Sequence, residues 1–265
     1  MNTLTLHNEK YRTEKLIPSK WDELFLDQAL RILRLQKYPE CFSVRFLMLK
    51  VLLNLRLLKK GFKSDLFFAL LLKNHSQKDN FKLLAFTDWI FEEEKSCTKL
   101  LLTKVKKPLK KVRVCKDFDK TQFWQWVHAD TNFLAYAQTG DEIAIDKMMA
   151  CFYLKDTFNA ETIEEESTFF KNLLPEKKEL FLMWYIGNRQ VLAQTYDAVF
   201  GGEKEETKRR DFGWAGVLDD LSTDVTKMEQ VGELNIHNVL FSMNKRIIRD
   251  REAQAEAERN NKQKS

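Results

Sequence analysis

The sequence predicts an all-α protein: a multi-helix bundle with a short extended or two-stranded connection around 98–114 and a small helical C-terminal module. Three observations lead there. Gly and Pro together occupy 12 of 265 positions, well under the roughly 12% of an average chain. Hairpins and tight turns consume those residues, so long helices joined by few turns are expected. Apolar residues then recur at helical spacing through most of the chain. Finally, capping residues punctuate these runs where helices need them.

Each element follows in order. Ile17-Pro18-Ser19 opens a helix, with Ser19 as cap and Asp22 and Glu23 at the positive end of the dipole. Leu24, Leu26, Ala29, Leu30, Ile32 and Leu33 carry it to about Gln36, and Pro39 interrupts. A second helix is expected from Glu40 to Lys60, stopped by Gly61. Ser64 caps a short one to Lys73, and Asp79 or Asn80 caps another through Ile90 and Phe91. Between Glu92 and Lys120 the helical period is lost, and Pro108 separates two stretches of mixed apolar and basic residues. Helical pattern resumes at Lys120 and ends at Thr139-Gly140, and Asp141 starts the next helix. A capped helix is expected over Glu161–Leu174, then a long one from Pro175 to Phe200. Gly201 to Asp211 reads as a linker of glycine followed by balanced charge. Ser222-Thr223-Asp224 opens a helix to Leu234, and Asn235 caps the last one. The expected organisation is an N-terminal helical region (1–91), a basic connector (92–119), a central helical region (120–200), a charged linker (201–211) and a C-terminal module with a polar tail (212–265).

Composition narrows the class. With 44% hydrophobic and 31% charged residues the chain reads as soluble and globular. Its 20 Phe and 6 Trp fill a core between helices. The polar N-terminus, MNTLTLHNEKYRTEK, lacks the apolar region of a secretory signal. The most apolar stretch, Cys41–Leu58, carries Arg45, Lys50, Asn54 and Arg56, which argues against a membrane span. Cys41, Cys97, Cys115 and Cys151 form no C-x-x-C pair, so neither a zinc site nor a redox motif is expected and a reduced, cytosolic setting is.

No catalytic constellation stands out. The four histidines are scattered, and His128 and Asp130, two apart, cannot share a helix face. Glu92–Glu94 and Glu164–Glu166 read as solvated faces or helix starts. There is no phosphate-cradling glycine loop and no G-x-S-x-G elbow. The expectation is a non-enzyme without cofactor or metal.

Two stretches point to binding. From Lys99 to Lys120 the local charge is +7 against +5 for the whole chain. This makes Lys104, Lys106, Lys107, Lys110, Lys111 and Arg113 candidates for nucleic-acid contact, with Phe118, Phe123, Trp124 and Trp126 following as stacking platforms. The plainer reading is a solvated connector. The second stretch is the last helix. Its apolar residues Ile236, Val239, Leu240, Met243, Ile247 and Ile248 form a narrow seam that stops halfway, followed by the polar REAQAEAERNNKQKS. Either that seam packs on Trp214, Val217 and Leu218, or it offers a face to a partner helix. On the second reading Trp214, Ile236, Val239, Leu240, Met243 and Ile247 are the partner-binding residues.

Several phrases carry a family resemblance. IPSKWDELFLDQALRIL, ADTNFLAYAQTGDEIAIDKMMACFYL, LLPEKKELFLMWYIGNRQVLAQTYDAVFGG and GWAGVLDDLSTDVTKMEQVGELNIHNVLFSMN resemble small helical proteins of phages and prophages of Bacteroidetes-type bacteria. The last phrase is also similar to the C-terminal region of tail assembly chaperones. The resemblance rests on residue rhythm rather than on one motif, and it transfers no functional residue. It implies a non-enzymatic protein in the host cytoplasm, one that holds a long helical tail structural protein until the tail tube assembles around it.

Overall fold

The computed structural model describes residues 1–8, 11–53, 77–92, 95–106, 113–115, 117–154, 157–201, 214 and 225–264. Helix dominates them, as expected. The chain divides by its packing into two units. One comprises Met1–Leu102 with Leu174–Ile186, the other Thr103–Leu173 with Gly187–Ser265.

The first unit begins with a departure from expectation. Strands β1 (Asn2–Asn8) and β2 (Tyr11–Ile17) pair antiparallel, from Asn2 opposite Ile17 to Asn8 opposite Tyr11. The segment expected to be a polar terminus of a helical region is therefore a hairpin. The alternation Thr3-Leu4-Thr5-Leu6 has the period of a strand, and the facing strand takes up its backbone hydrogen bonds. The first helix also starts later than Ser19. Ser19 donates its backbone N–H (2.7 Å) and hydroxyl (3.1 Å) to Glu23 instead, and a 3-10 turn covers Trp21–Glu23.

Helix α1 (Leu26–Leu35) begins after Phe25, whose N–H is accepted by Gln28 Oε1 at 3.0 Å. Gln28, itself buried, also donates to the carbonyls of Val51 and Leu52 at the end of α2 (Phe42–Leu52). Those carbonyls belong to the last turn, where no intrahelical donor remains. Helix α3 (Gln77–Leu84) already includes Asp79 and Asn80, so neither caps it, and a 3-10 stretch over Ala85–Phe91 continues it. Trp21 meets Trp89 edge to face at 5.6 Å. Gly61 and the Ser64–Lys73 helix lie outside the described residues.

The second unit holds the ribbon expected around 98–114. Strand β3 (Lys104–Val105) pairs with β4 (Arg113–Cys115), and β5 (Tyr153–Leu154) adds a third strand that the sequence does not predict. The long central helix α4 (Phe123–Thr139) stops at Gly140, which takes the left-handed conformation (φ 70°) and donates its N–H to Tyr136 O. Asp141 then caps α5 (Glu142–Phe152), accepting from Ile143 N at 2.9 Å. These two termini are local chemistry and fall where the sequence puts them. The Glu161–Leu174 helix is shorter than expected. A 3-10 turn over Ala160–Thr162 leads into α6 (Ile163–Ser167), and turns follow.

Helix α7 (Pro175–Thr195) opens on its proline, as predicted. It does not run unbroken to Phe200, because Tyr196 leaves the helical region (φ −120°, ψ 54°) before α8 (Asp197–Phe200). Helix α9 (Val225–Glu233) and helix α10 (Ile236–Lys264) complete the second unit. The unit boundaries replace the five segments expected along the chain. Packing, not sequence order, defines a unit: residues 174–186, which take in the first part of α7, join the first one, where Met183 O accepts from Cys97 N and Glu176 pairs with Lys37 at 2.9 Å. Of the expected charged linker, only Gly201 lies among the described residues.

Candidate partner-binding surface

The site is built from the start of the last helix outward. Asn235 caps α10, its Oδ1 accepting from His237 N at 2.9 Å, and its amide donates to Asp119 O at 2.7 Å. A short bridge joins Asn235 to Gln122 just ahead of α4. In it Phe123 N donates to Leu234 O and Ile236 N to Thr121 O. Tyr196 Oη and His237 Nδ1 stand 3.0 Å apart, and His237 Nε2 lies 3.3 Å from Asp119. Burial raises the Tyr196 hydroxyl pKa, so this phenol stays protonated and able to hydrogen-bond. Two turns further, Asn244 Oδ1 accepts at 3.0 Å from Ala198 N, an N–H in the first turn of α8 that Asp197 Oδ1 also accepts at 2.8 Å.

These anchors fix the seam inward. Ile236, Val239, Leu240 and Met243 are buried among α4, α8 and the turn at Phe118–Lys120. Trp214 joins the same unit: its ring lies 4.4 Å from Trp126, 5.9 Å from Phe200 and 6.2 Å from Phe123. The seam and Trp214 are therefore engaged by the chain itself, which corrects their assignment to a partner. The physical reason is area: a two-turn apolar stripe beside an aromatic core gains more by packing there than by waiting for a second protein. Ile247 is half-buried, at the edge of this packing. Val217 and Leu218 lie outside the described residues.

What remains outward is different. Phe241 is 60% exposed and Ile248 41%. From Ile248 to Asn260 every residue of α10 is exposed. The helix docks its first two turns and carries the rest as an arm.

A buried carboxylate organises the core behind the anchor. Asp130 on α4 is fully buried and accepts from Arg189 Nε at 2.6 Å and from Trp214 Nε1 at 2.9 Å. The Arg189 guanidinium also stands over the rings of Phe133 (5.3 Å) and Phe200 (5.9 Å). Asp130 is not among the residues the sequence singles out for binding, yet a signal is present. Phe123, Trp126, Val127 and Asp130 follow the spacing of one helix face, and a charge on an aromatic face requires a buried partner.

The basic run fares unevenly. Lys104 and Lys106 are exposed. Arg113 is not: its side chain is 11% exposed, paired with Glu166 and stacked 4.3 Å from the Phe169 ring. It faces a cavity of about 280 Å³ that Leu154, Phe158, Asn159, Thr162 and Glu166 also line. Arg113 is thus withdrawn from any phosphate-binding row. Lys107, Lys110 and Lys111 lie outside the described residues. The stacking candidates are mostly core as well: Phe118, Phe123 and Trp126 are buried, and only Trp124 keeps partial exposure, 5.5 Å from His128. Burial lowers the His128 pKa and keeps that imidazole neutral.

Among the described residues, no group of three or more His, Cys, Asp and Glu is placed to hold a metal ion. No helix among them is long and apolar enough to cross a membrane. Comparison with protein-family profiles, curated proteins and solved structures finds no match to this chain.

Proposed function

We propose that this is a non-enzymatic assembly protein that engages other chains through its C-terminal helical arm. The observation behind this reading is the division of α10: two anchored turns, then a continuous run of exposed residues from Ile248 to Asn260. Most helix stability comes from packing an apolar face. A helix that leaves its own core and continues is suited to pack on something else. The resemblance to tail assembly chaperones supplies the kind of partner, a long helical tail structural protein in a phage-infected or lysogenic cell. Phe241 and Ile248, rather than Leu240, are the apolar side chains such a partner meets.

The test is a tagged pull-down from the native host with nuclease treatment, comparing the full chain with one that ends at Arg249 and also carries Phe241→Asp and Ile248→Asp. Recovery of a very long helical protein by the full chain alone supports the reading. Equal recovery by both chains removes the arm from it. Nuclease-sensitive recovery by both redirects attention to Lys104 and Lys106.

A further inference from the structure

We infer that the arm pairs antiparallel with the arm of a second copy of this chain. The inference rests on the arm being an interaction surface and names its occupant. Lys245, Arg249, Glu252 and Glu256 lie at i, i+4, i+7 and i+11 of α10, one stripe of the helix, and all four are exposed. The stripe is two cations followed by two anions. Within one helix this order is unfavourable at both ends, because Lys245 and Arg249 repel at i, i+4, and so do Glu252 and Glu256.

A second arm running the other way reverses the order. Lys245 then stands level with Glu256 of the second copy and Arg249 level with its Glu252, and the two-fold axis repeats both pairs. A parallel arm in register sets cation beside cation and anion beside anion, so charge selects the antiparallel arrangement. Beside the stripe run Phe241, Ile248 and Ala255, seven residues apart and on adjoining positions of the same face. Ala255, on that row, is small enough to let Ile248 of the second copy approach closely.

An arm of about four turns buries less than the roughly 1,000 Å² of a stable interface. The dimer is therefore weak, concentration-dependent and sensitive to salt, since its pairs are exposed and within reach of screening ions.

The experiment is sedimentation of the full chain across a concentration range at low and high salt. The expected result is a monomer–dimer equilibrium weakened about tenfold or more between about 0.05 M and about 0.5 M salt. Lys245→Glu with Arg249→Glu abolishes it. Adding Glu252→Lys and Glu256→Lys to that pair restores it, because the fourfold variant is complementary to itself again. All four side chains are exposed, so no core contact changes, and circular dichroism reports whether the helix persists. A monomer throughout overturns the inference. So does a dimer indifferent to the double reversal, or a fourfold variant that stays monomeric. If the arm still captures a helical partner while the chain sediments as a monomer, the second copy is refuted and the proposed function stands.

Discussion

Replacing Asp130 with Ala tests the account of how the arm is anchored. The carboxylate is wholly buried and serves two donors. Its loss leaves the Trp214 N–H, on a half-buried ring, without its acceptor, at the low end of about 1–3 kcal/mol for an unmet buried donor. It also removes a charge-assisted bond to Arg189. That guanidinium is 28% exposed and can turn to water, so its share falls at the low end of about 1.5–3 kcal/mol. The total is about 3 kcal/mol, at the lower edge of the range for breaking a buried ion pair. With about 2–4 °C lost per kcal/mol in a unit of this size, Tm falls by about 6–12 °C. Thermal unfolding followed by near-ultraviolet circular dichroism and tryptophan fluorescence measures this. Asp130→Asn keeps an acceptor for Trp214 and loses about half as much. A double-mutant cycle with Arg189→Met isolates the pair. An Asp130→Ala chain within about 0.5 kcal/mol of the parent, or an Asn variant no better than Ala, refutes the reasoning.

Three further outcomes follow from the packing. Gly232→Ala sets helix propensity, worth about 1 kcal/mol in favour, against a Cβ that falls inside the Trp124 indole at Cδ1, Nε1 and Cγ. Overpacking of about 1–3 kcal/mol wins, so urea unfolding shows net destabilisation that reverses in a Trp124→Ala background. Thiol labelling of the native chain at mild alkaline pH modifies exposed Cys41 quickly and the others slowly. Burial pushes the Cys97 thiol up to about 12 and raises those of Cys115 and Cys151 further, so a native chain that labels at all four positions contradicts the fold. Glu176→Gln destabilises the first unit more at neutral pH than in acid. The hydrogen bond from Lys37 holds the Glu176 carboxyl below its usual 4.5, so the stabilisation is full above that value and is lost as pH falls through the folded one. A Gln penalty that does not shrink in acid rules this out.

Helix termini are the most legible part of the chain. Gly140, Asp141, Pro175 and Asn235 all act where the sequence places them: Gly140, Asp141 and Asn235 each satisfy a backbone group within a few residues, and Pro175 removes an N–H that the first turn would leave unpaired. The ribbon around 104–114 is legible for a similar reason, through loss of helical period. The hairpin over 2–17 escapes prediction although its alternation is visible, since a strand is defined by the segment it pairs with. The split of α7 between two units is not legible at all: nothing in PEKKELFLMWYIGNRQVLAQT marks where one set of neighbours ends and the other begins.

The sequence by itself determined that the chain is mostly helical, where several helices start and stop, and that the last helix has an apolar half and a polar half. Each follows from periodicity and short-range hydrogen bonding. Only the tertiary structure decided what the apolar half touches. Ile236, Val239, Leu240 and Met243 look the same on a helical wheel whether they face a partner or their own core. Their burial depends on a bridge from Gln122, a tyrosine at 196 and a buried pair formed by Asp130 and Arg189, all distant in sequence. Periodicity gives a face its chemistry, while the long-range contacts that close around it decide which surface is left for another molecule.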